Sequence, residues 1–117
     1  MADAVKLDAV KLYDQADKLK DEGKLDEAAA KLNEALGADA NYALAHAALA
    51  VVLQRLGQHD EAISHAQRVC ELEPDDPFSH TALSVIYQRA YAGTGEQNFI
   101  RLAEDAIEKS RMLQMHR

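Results

Sequence analysis

An all-α chain of six helices, paired into three hairpins that stack side by side, is what this sequence predicts, and three observations carry it. Apolar residues recur at spacings of three and four, and no run alternates with a period of two. Ala and Leu, both strong helix formers, supply most of an apolar content of 48%; with aromatics at 5% and no Trp, the core must be built from small and aliphatic side chains. Asp26-Glu27-Ala28 and Asp60-Glu61-Ala62 stand 34 residues apart, as do Gly23 and Gly57, Leu19 and Leu53, and Ala16 and Ala50. A fixed period in this range marks a supersecondary unit that cannot bury its apolar face alone, so successive copies stack.

The first helix carries the stripe Val5, Ala9, Leu12, Ala16, Leu19, and Gly23 supplies the left-handed residue that ends it. A second stripe, Leu25, Ala28, Leu32, Ala35, Leu36, runs into Gly37, where that helix is expected to stop. Asn41 is the expected cap of the third helix, which shows Leu44, Ala45, Ala48, Leu49, Val52, Leu53 and Leu56 before Gly57. The fourth, with Ile63, Ala66, Val69, Cys70 and Leu72, leads to Pro74. Asp76-Pro77 opens the fifth: Asp caps, and Pro takes the first helical position, where its missing N–H costs nothing. Phe78, Ala82, Leu83, Ile86 and Tyr87 follow. The sixth runs from about Phe99 to Met115 with Leu102, Ala103, Ala106, Ile107 and Leu113.

The third unit breaks the period. Strict spacing would put a small residue at 96, where Glu96 stands; the pattern resumes if Ala103, Ile107 and Ser110 match Ala28, Leu32 and Ala35. Seven residues have entered near 92–98, close to two helical turns, so the phase of the last helix is kept. Thr94-Gly95-Glu96-Gln97 fits a capping box that would start this helix early, with Asn98 as cap after a longer loop the alternative. The insertion reads as a tolerated surface change, and secondly as a projecting element that offers Tyr91 and Phe99 to a partner. The chain is read as one domain over 1–117, with repeats at about 9–42, 43–76 and 77–117.

A net charge of −7 argues against nucleic acid, since binding phosphate backbones needs clustered Lys and Arg, and against anionic membranes. No stretch approaches the ~18 apolar residues of a spanning helix, and Met1-Ala2-Asp3 lacks the basic start of a secretory leader. A single cysteine forms no internal disulfide, which fits a reducing compartment, so a cytoplasmic location is expected whether the chain is whole or excised from a longer one.

Catalytic and metal chemistry finds little support. Helical metal sites favour His at i and i+4, and none of the five histidines is so paired: His59 and His65 are six apart, while His46 and His80 recur one period apart as packing residues. Cys70 lies on an apolar stripe and reads as an inert thiol. Glu71, Glu73, Asp75 and Asp76 sit at a helix end and its turn, where capping and solvation explain them. With no phosphate-cradling loop and no nucleophile elbow, the chain is read as non-enzymatic and without a cofactor or metal.

Six helices in three hairpins, with small residues at recurring places, resemble the tetratricopeptide repeat. The family's small position 8 falls on Ala16, Ala50 and Ser84, position 20 on Ala28 and Ala62, and position 27 on Ala35 and Val69. Its Pro is present as Pro74 and replaced by Ala40, and its bulky position 4 carries Leu12, His46 and His80. The resemblance implies a right-handed superhelical stack whose first helices line a concave groove. Its inward positions would be Val10, Tyr13, Asp17, Lys20 and Asp21, then Leu44, Ala47, Val51, Gln54 and Arg55, then Phe78, Thr81, Val85, Gln88 and Arg89. Such a groove implies a protein or peptide ligand, held by apolar anchors and oriented by the recurring Gln-Arg pairs, in an adaptor or scaffold role. Equally, Arg55 could pair with Asp21. The carboxylate clamp of the chaperone-binding subclass is missing, because Tyr13, Asp17, Ala48, Phe78 and Ala82 occupy its sites. The alternative is a self-associating unit: no polar helix follows Ser110 in this sequence, and Met112, Leu113 and Met115 would form a homodimer contact.

Overall fold

The computed structural model describes residues 2–116, which form six α-helices and, among the described residues, no strand. They are α1 (Ala2–Asp21), α2 (Leu25–Ala38), α3 (Ala43–Arg55), α4 (His59–Leu72), α5 (Pro77–Thr94) and α6 (Asn98–Met115). Each packs against its predecessor and its successor, and α3 also touches α5; no substantial contact joins the first hairpin to the third. Contacts restricted to neighbours define a stack rather than a closed bundle. The result is a slab of 41 × 34 × 19 Å.

The turns follow from single residues. Gly23 and Gly57 adopt φ of 79° and 80°, which side chains rarely tolerate. In each case the next residue's N–H reaches back across the turn, Lys24 to Leu19 O and Gln58 to Leu53 O, both at 2.9 Å. The last carbonyls of α1 and α3 are thereby satisfied. Asp76 caps α5 as expected, its carboxylate accepting from Phe78 N at 3.0 Å, with Pro77 first in the helix.

Three local expectations are corrected. Gly37 does not stop α2, which continues through Ala38 with an ordinary φ at the glycine. Asn41 does not cap α3: Tyr42 holds that position without a side-chain bond, and the Asn41 amide oxygen accepts from Arg68 Nη2 at 2.9 Å instead. The seven-residue insertion is neither a long loop nor an early start of α6. Tyr91 stands where Gly57 ends α3, so α5 has no stop signal there and winds on to Gly95. Thr94 donates to Ala90 O at 2.7 Å inside that helix rather than opening a capping box, and Asn98 begins α6 without capping it.

The core runs through the middle of the slab and is alanine-rich. Ala28, Ala35, Ala45, Ala62 and Ala90 are fully buried, beside Leu32, Leu49 and Val52. A methyl group at the crossing lets helix axes approach to about 8–10 Å, with a larger side chain from the neighbour seated over it. Val5, in the first predicted stripe, is 44% exposed because it lies in the stretch of α1 that α2 does not cover.

Candidate functional site

Helical spacing puts Leu44, Val51 and Arg55 on one stripe of α3, and Phe78, Val85 and Arg89 on the equivalent stripe of α5. The two stripes face a shared depression. One part, about 230 Å³ and almost wholly apolar, is walled by Ala47, Ala50 and Val51 of α3 and Ala82, Val85 and Ile86 of α5, with Ala66 and Val69 of α4 at its back. A second part of about 190 Å³ continues it past Leu44 and Phe78, shares Ala47, Val69, Ser79 and Ala82 with the first, and carries Glu73 and Asp76 at its far end. Small residues at 47, 50 and 82 leave the space, and the larger ones rim it. Leu44 and Phe78, 56% and 69% exposed, stand together at the edge of this apolar depression.

The charge at this face is unspent. Among the described residues, neither Arg55 nor Arg89 forms an ion pair, so the expected Arg55–Asp21 contact is not made. Both guanidinium groups are exposed, and Gln54 is half-buried beside them.

Other expected groove residues are engaged elsewhere. Tyr13 packs on the core and against the Tyr42 ring at 5.8 Å, and Asp17 pairs with Lys20 at 3.3 Å. The cavity between them, Leu32 and Val52 is about 10 Å³, too small for a ligand group. Thr81 donates to Pro77 O or shares a hydrogen with Ser110 Oγ at 2.7 Å, which ties it to α6. Gln88 donates to Ser84 Oγ at 3.2 Å and lines a different hollow, between α5 and α6. At the end of α6, Met112 and Met115 are 48% and 80% exposed while Leu113 is half-buried.

The structure brings together a pair that spacing along one helix could not reveal. The Nδ1 atoms of His46 on α3 and His65 on α4 lie 2.9 Å apart. His46 Nε2–H donates to Ala40 O at 2.9 Å, and its counterpart His80 donates to Pro74 O at 3.1 Å. Each histidine thus fastens the loop ahead of its own helix, a role the family-like reading of this position as packing did not include. Since Ala40 O can only accept, the His46 proton sits on Nε2, its Nδ1 accepts and His65 Nδ1–H donates. Burial lowers the His65 pKa from 6.5, and His46 adds to this while Glu61 opposes it. Among the described residues no three His, Cys, Asp or Glu side chains converge as a metal site would require. Cys70 is half-buried, donates to Ser79 O at 3.4 Å, and its pKa is raised by burial and by Asp76 and Glu71, which leaves the unreactive thiol form. No helix among the described residues is long and apolar enough to cross a membrane.

The family model described as tetratricopeptide repeat matches residues 19–86, more than half of the chain. Among solved structures, that of MamA superposes with a TM-score of 0.78 at 20% identity, covering 95% of this chain and 61% of that one. The chain thus spans about three fifths of the MamA chain it matches. The second tetratricopeptide domain of Spaghetti (RPAP3), bound to the HSP90 peptide SRMEEVD, gives 0.75 at 19% identity over 92% of this chain and 94% of that one. The first domain of the same protein, bound to the same peptide, gives 0.63 at 16% identity, with coverage of 94% and 95%. No curated protein matches the sequence.

Proposed function

Because this chain belongs to the tetratricopeptide repeat family, we propose that it is a non-enzymatic interaction module that holds a short segment of a partner protein along the face between α3 and α5. The observation that carries this reading is the largely apolar depression there, rimmed by exposed Leu44 and Phe78, with Arg55 and Arg89 one helical turn beyond Val51 and Val85 and in no ion pair among the described residues. Apolar side chains of the ligand enter beside Val51 and Val85 and supply affinity. Acidic groups of the ligand meet Arg55 and Arg89 and set its direction. Gln54 offers an amide for a ligand backbone group.

A relative of known structure holds an acidic-tailed peptide, yet the ligand proposed here is anchored differently. The clamp positions of this chain carry Tyr13, Asp17, Ala48, Phe78 and Ala82. Ala48, Phe78 and Ala82 have no side-chain donor, Tyr13 packs on the core and against Tyr42, and Asp17 repels a carboxylate. The preferred segment is therefore an internal, apolar one with flanking acids.

Peptide phage display against the full chain tests the reading. The selected sequences should share two apolar residues and a nearby acid. Val85→Asp should abolish binding in calorimetry, and Arg55→Glu with Arg89→Glu should weaken it by about tenfold or more, since each rim charge pair contributes up to ~1 kcal/mol. Both variants should melt like the wild type, because all three positions are exposed. Unchanged affinity in both would remove the α3–α5 face from consideration.

A further inference from the structure

The two ends of the stack are unlike. On the first hairpin, the furrow between α1 and α2 is filled by α3, whose Ala48 and Val52 close it to a residual 10 Å³ beside Ala16 and Leu32. The equivalent furrow on the third hairpin, where Ser84, Ala103 and Ile107 replace Ala16, Ala28 and Leu32, is covered by none of the described residues and leaves an open hollow of about 430 Å³. Tyr91 and Ile100 on its walls are 38% and 41% exposed. At the opposite end, α1 shows exposed Lys11, Gln15 and Lys18 where α3, one period later, buries Ala45, Leu49 and Val52. The first end is closed by polar side chains. The last is a seat for a helix, largely apolar but with Gln88 and Glu104 on its walls.

We propose that α6 of a second copy fills this seat, forming a two-fold dimer. Head-to-tail chaining would press the lysines of α1 onto Ile107, so the only self-complementary arrangement joins like ends and closes at two. Polarity agrees. In the stack, α3 lies beside α2 and α5 beside α4, each pair reversed through the loops 39–42 and 73–76. A two-fold axis across α6 likewise lays its copy antiparallel, as a continuing array would.

Charge selects the register. The seat side of α6 reads Ile100, Glu104, Ile107, Arg111, Met115, at spacings of four, three, four and four. Antiparallel pairing about an axis midway between Ile107 and Glu108 sets Glu104 of each copy opposite Arg111 of the other, and Ile100 opposite Met115. Glu104 stands where Ile63 is buried on the second hairpin, so a helix seated there must bring a cation to it. In the single chain Arg111 has only Glu108, 3.5 Å away on the same exposed face. The dimer also covers Met115, 80% exposed in the single chain. This surface is separate from the α3–α5 face, and its fate is independent of the peptide reading.

Sedimentation equilibrium and light scattering of the full chain over a range up to about 1 mM decide the matter. A monomer–dimer equilibrium is expected, with Ile107→Asp monomeric at every concentration and still folded by circular dichroism. Glu104→Arg alone and Arg111→Glu alone should each weaken the dimer by about tenfold, and the double exchange should restore it. A monomer mass throughout overturns the proposal and leaves the seat to a helix of another protein. A dimer indifferent to Ile107→Asp, or weakened further by the double exchange, overturns it as well.

Discussion

The Nδ1 atoms of His46 and His65 are 2.9 Å apart, so a single proton bridges them, and two protonated rings would set N–H against N–H. That geometry opposes a second proton on His65, in the same direction as the burial that lowers its pKa. In the unfolded chain His65 protonates near 6.5, the ordinary value. Below that pH the unfolded state takes up a proton that the folded state refuses, so stability present above pH ~6.5 is lost as pH falls through the lower folded-state pKa. Glu61, a turn earlier on α4, works against this, and His46 on α3 works with it. Melting followed between about pH 7.5 and pH 5 should show a steeper decline for wild type than for His65→Asn. Parallel curves would mean that the pair carries no coupled proton. Ala62, with no exposed surface, sets a second residue-scale expectation: Ala62→Leu overpacks the α3–α4 crossing and should cost about 1–3 kcal/mol, read from the urea midpoint. Ala62 could be read from the sequence, because a small residue recurring at a helical crossing has one evident physical use. The His46–His65 bond could not, since the two are on different helices and the angle between α3 and α4 decides whether the rings meet.

Helix ends show how far local signals extend. Where a signal acts through the backbone of its own turn, as at Gly23, Gly57 and Asp76–Pro77, the element ends or begins where the sequence says. Gly37 and Asn41 misled because their residue types permit a stop or a cap without requiring one. Gly37 keeps a helical φ, and the Asn41 amide is drawn to Arg68 of α4. The two glycines should then respond oppositely to one substitution. Gly57→Ala forces a methyl into φ of 80° and should destabilise by about 1–2 kcal/mol, although no neighbour lies in its way. Gly37→Ala meets open space in a helical turn and should stabilise by about 0.5–1 kcal/mol. Thermal melts of both variants check the pair; a common sign would contradict the turn geometry. The insertion follows the same logic, since removing a stop glycine lets a helix run on, and the lengthened α5 carries Tyr91 to the wall of the terminal seat.

At the scale of the molecule, neighbour-only packing decides both what could be read and how the chain should behave. Stacking was legible because a period of 34 residues and an unbroken helical phase belong to the chain itself. The face between α3 and α5 was partly legible, as Leu44, Val51, Phe78 and Val85 are apolar positions that no intrahairpin contact consumes. Tyr13, Asp17 and Thr81 were not, because what engages them, Tyr42, Lys20 and Ser110, depends on how the helices cross. In a linear stack the middle hairpin is supported on both sides and the outer hairpins on one. Opening should therefore start at the ends, with α3 and α4 as the last unit to exchange their amide hydrogens. The outer hairpins should not open alike. The first meets water with Lys11, Gln15 and Lys18, whereas the third exposes Tyr91 and Ile100 over a hollow of about 430 Å³. Hydrogen exchange at rising protein concentration should thus leave α1 unchanged and slow α6, because only the apolar end gains a neighbour. Equal behaviour of both ends, or fastest exchange in α3 and α4, would contradict the one-dimensional stack from which these expectations follow.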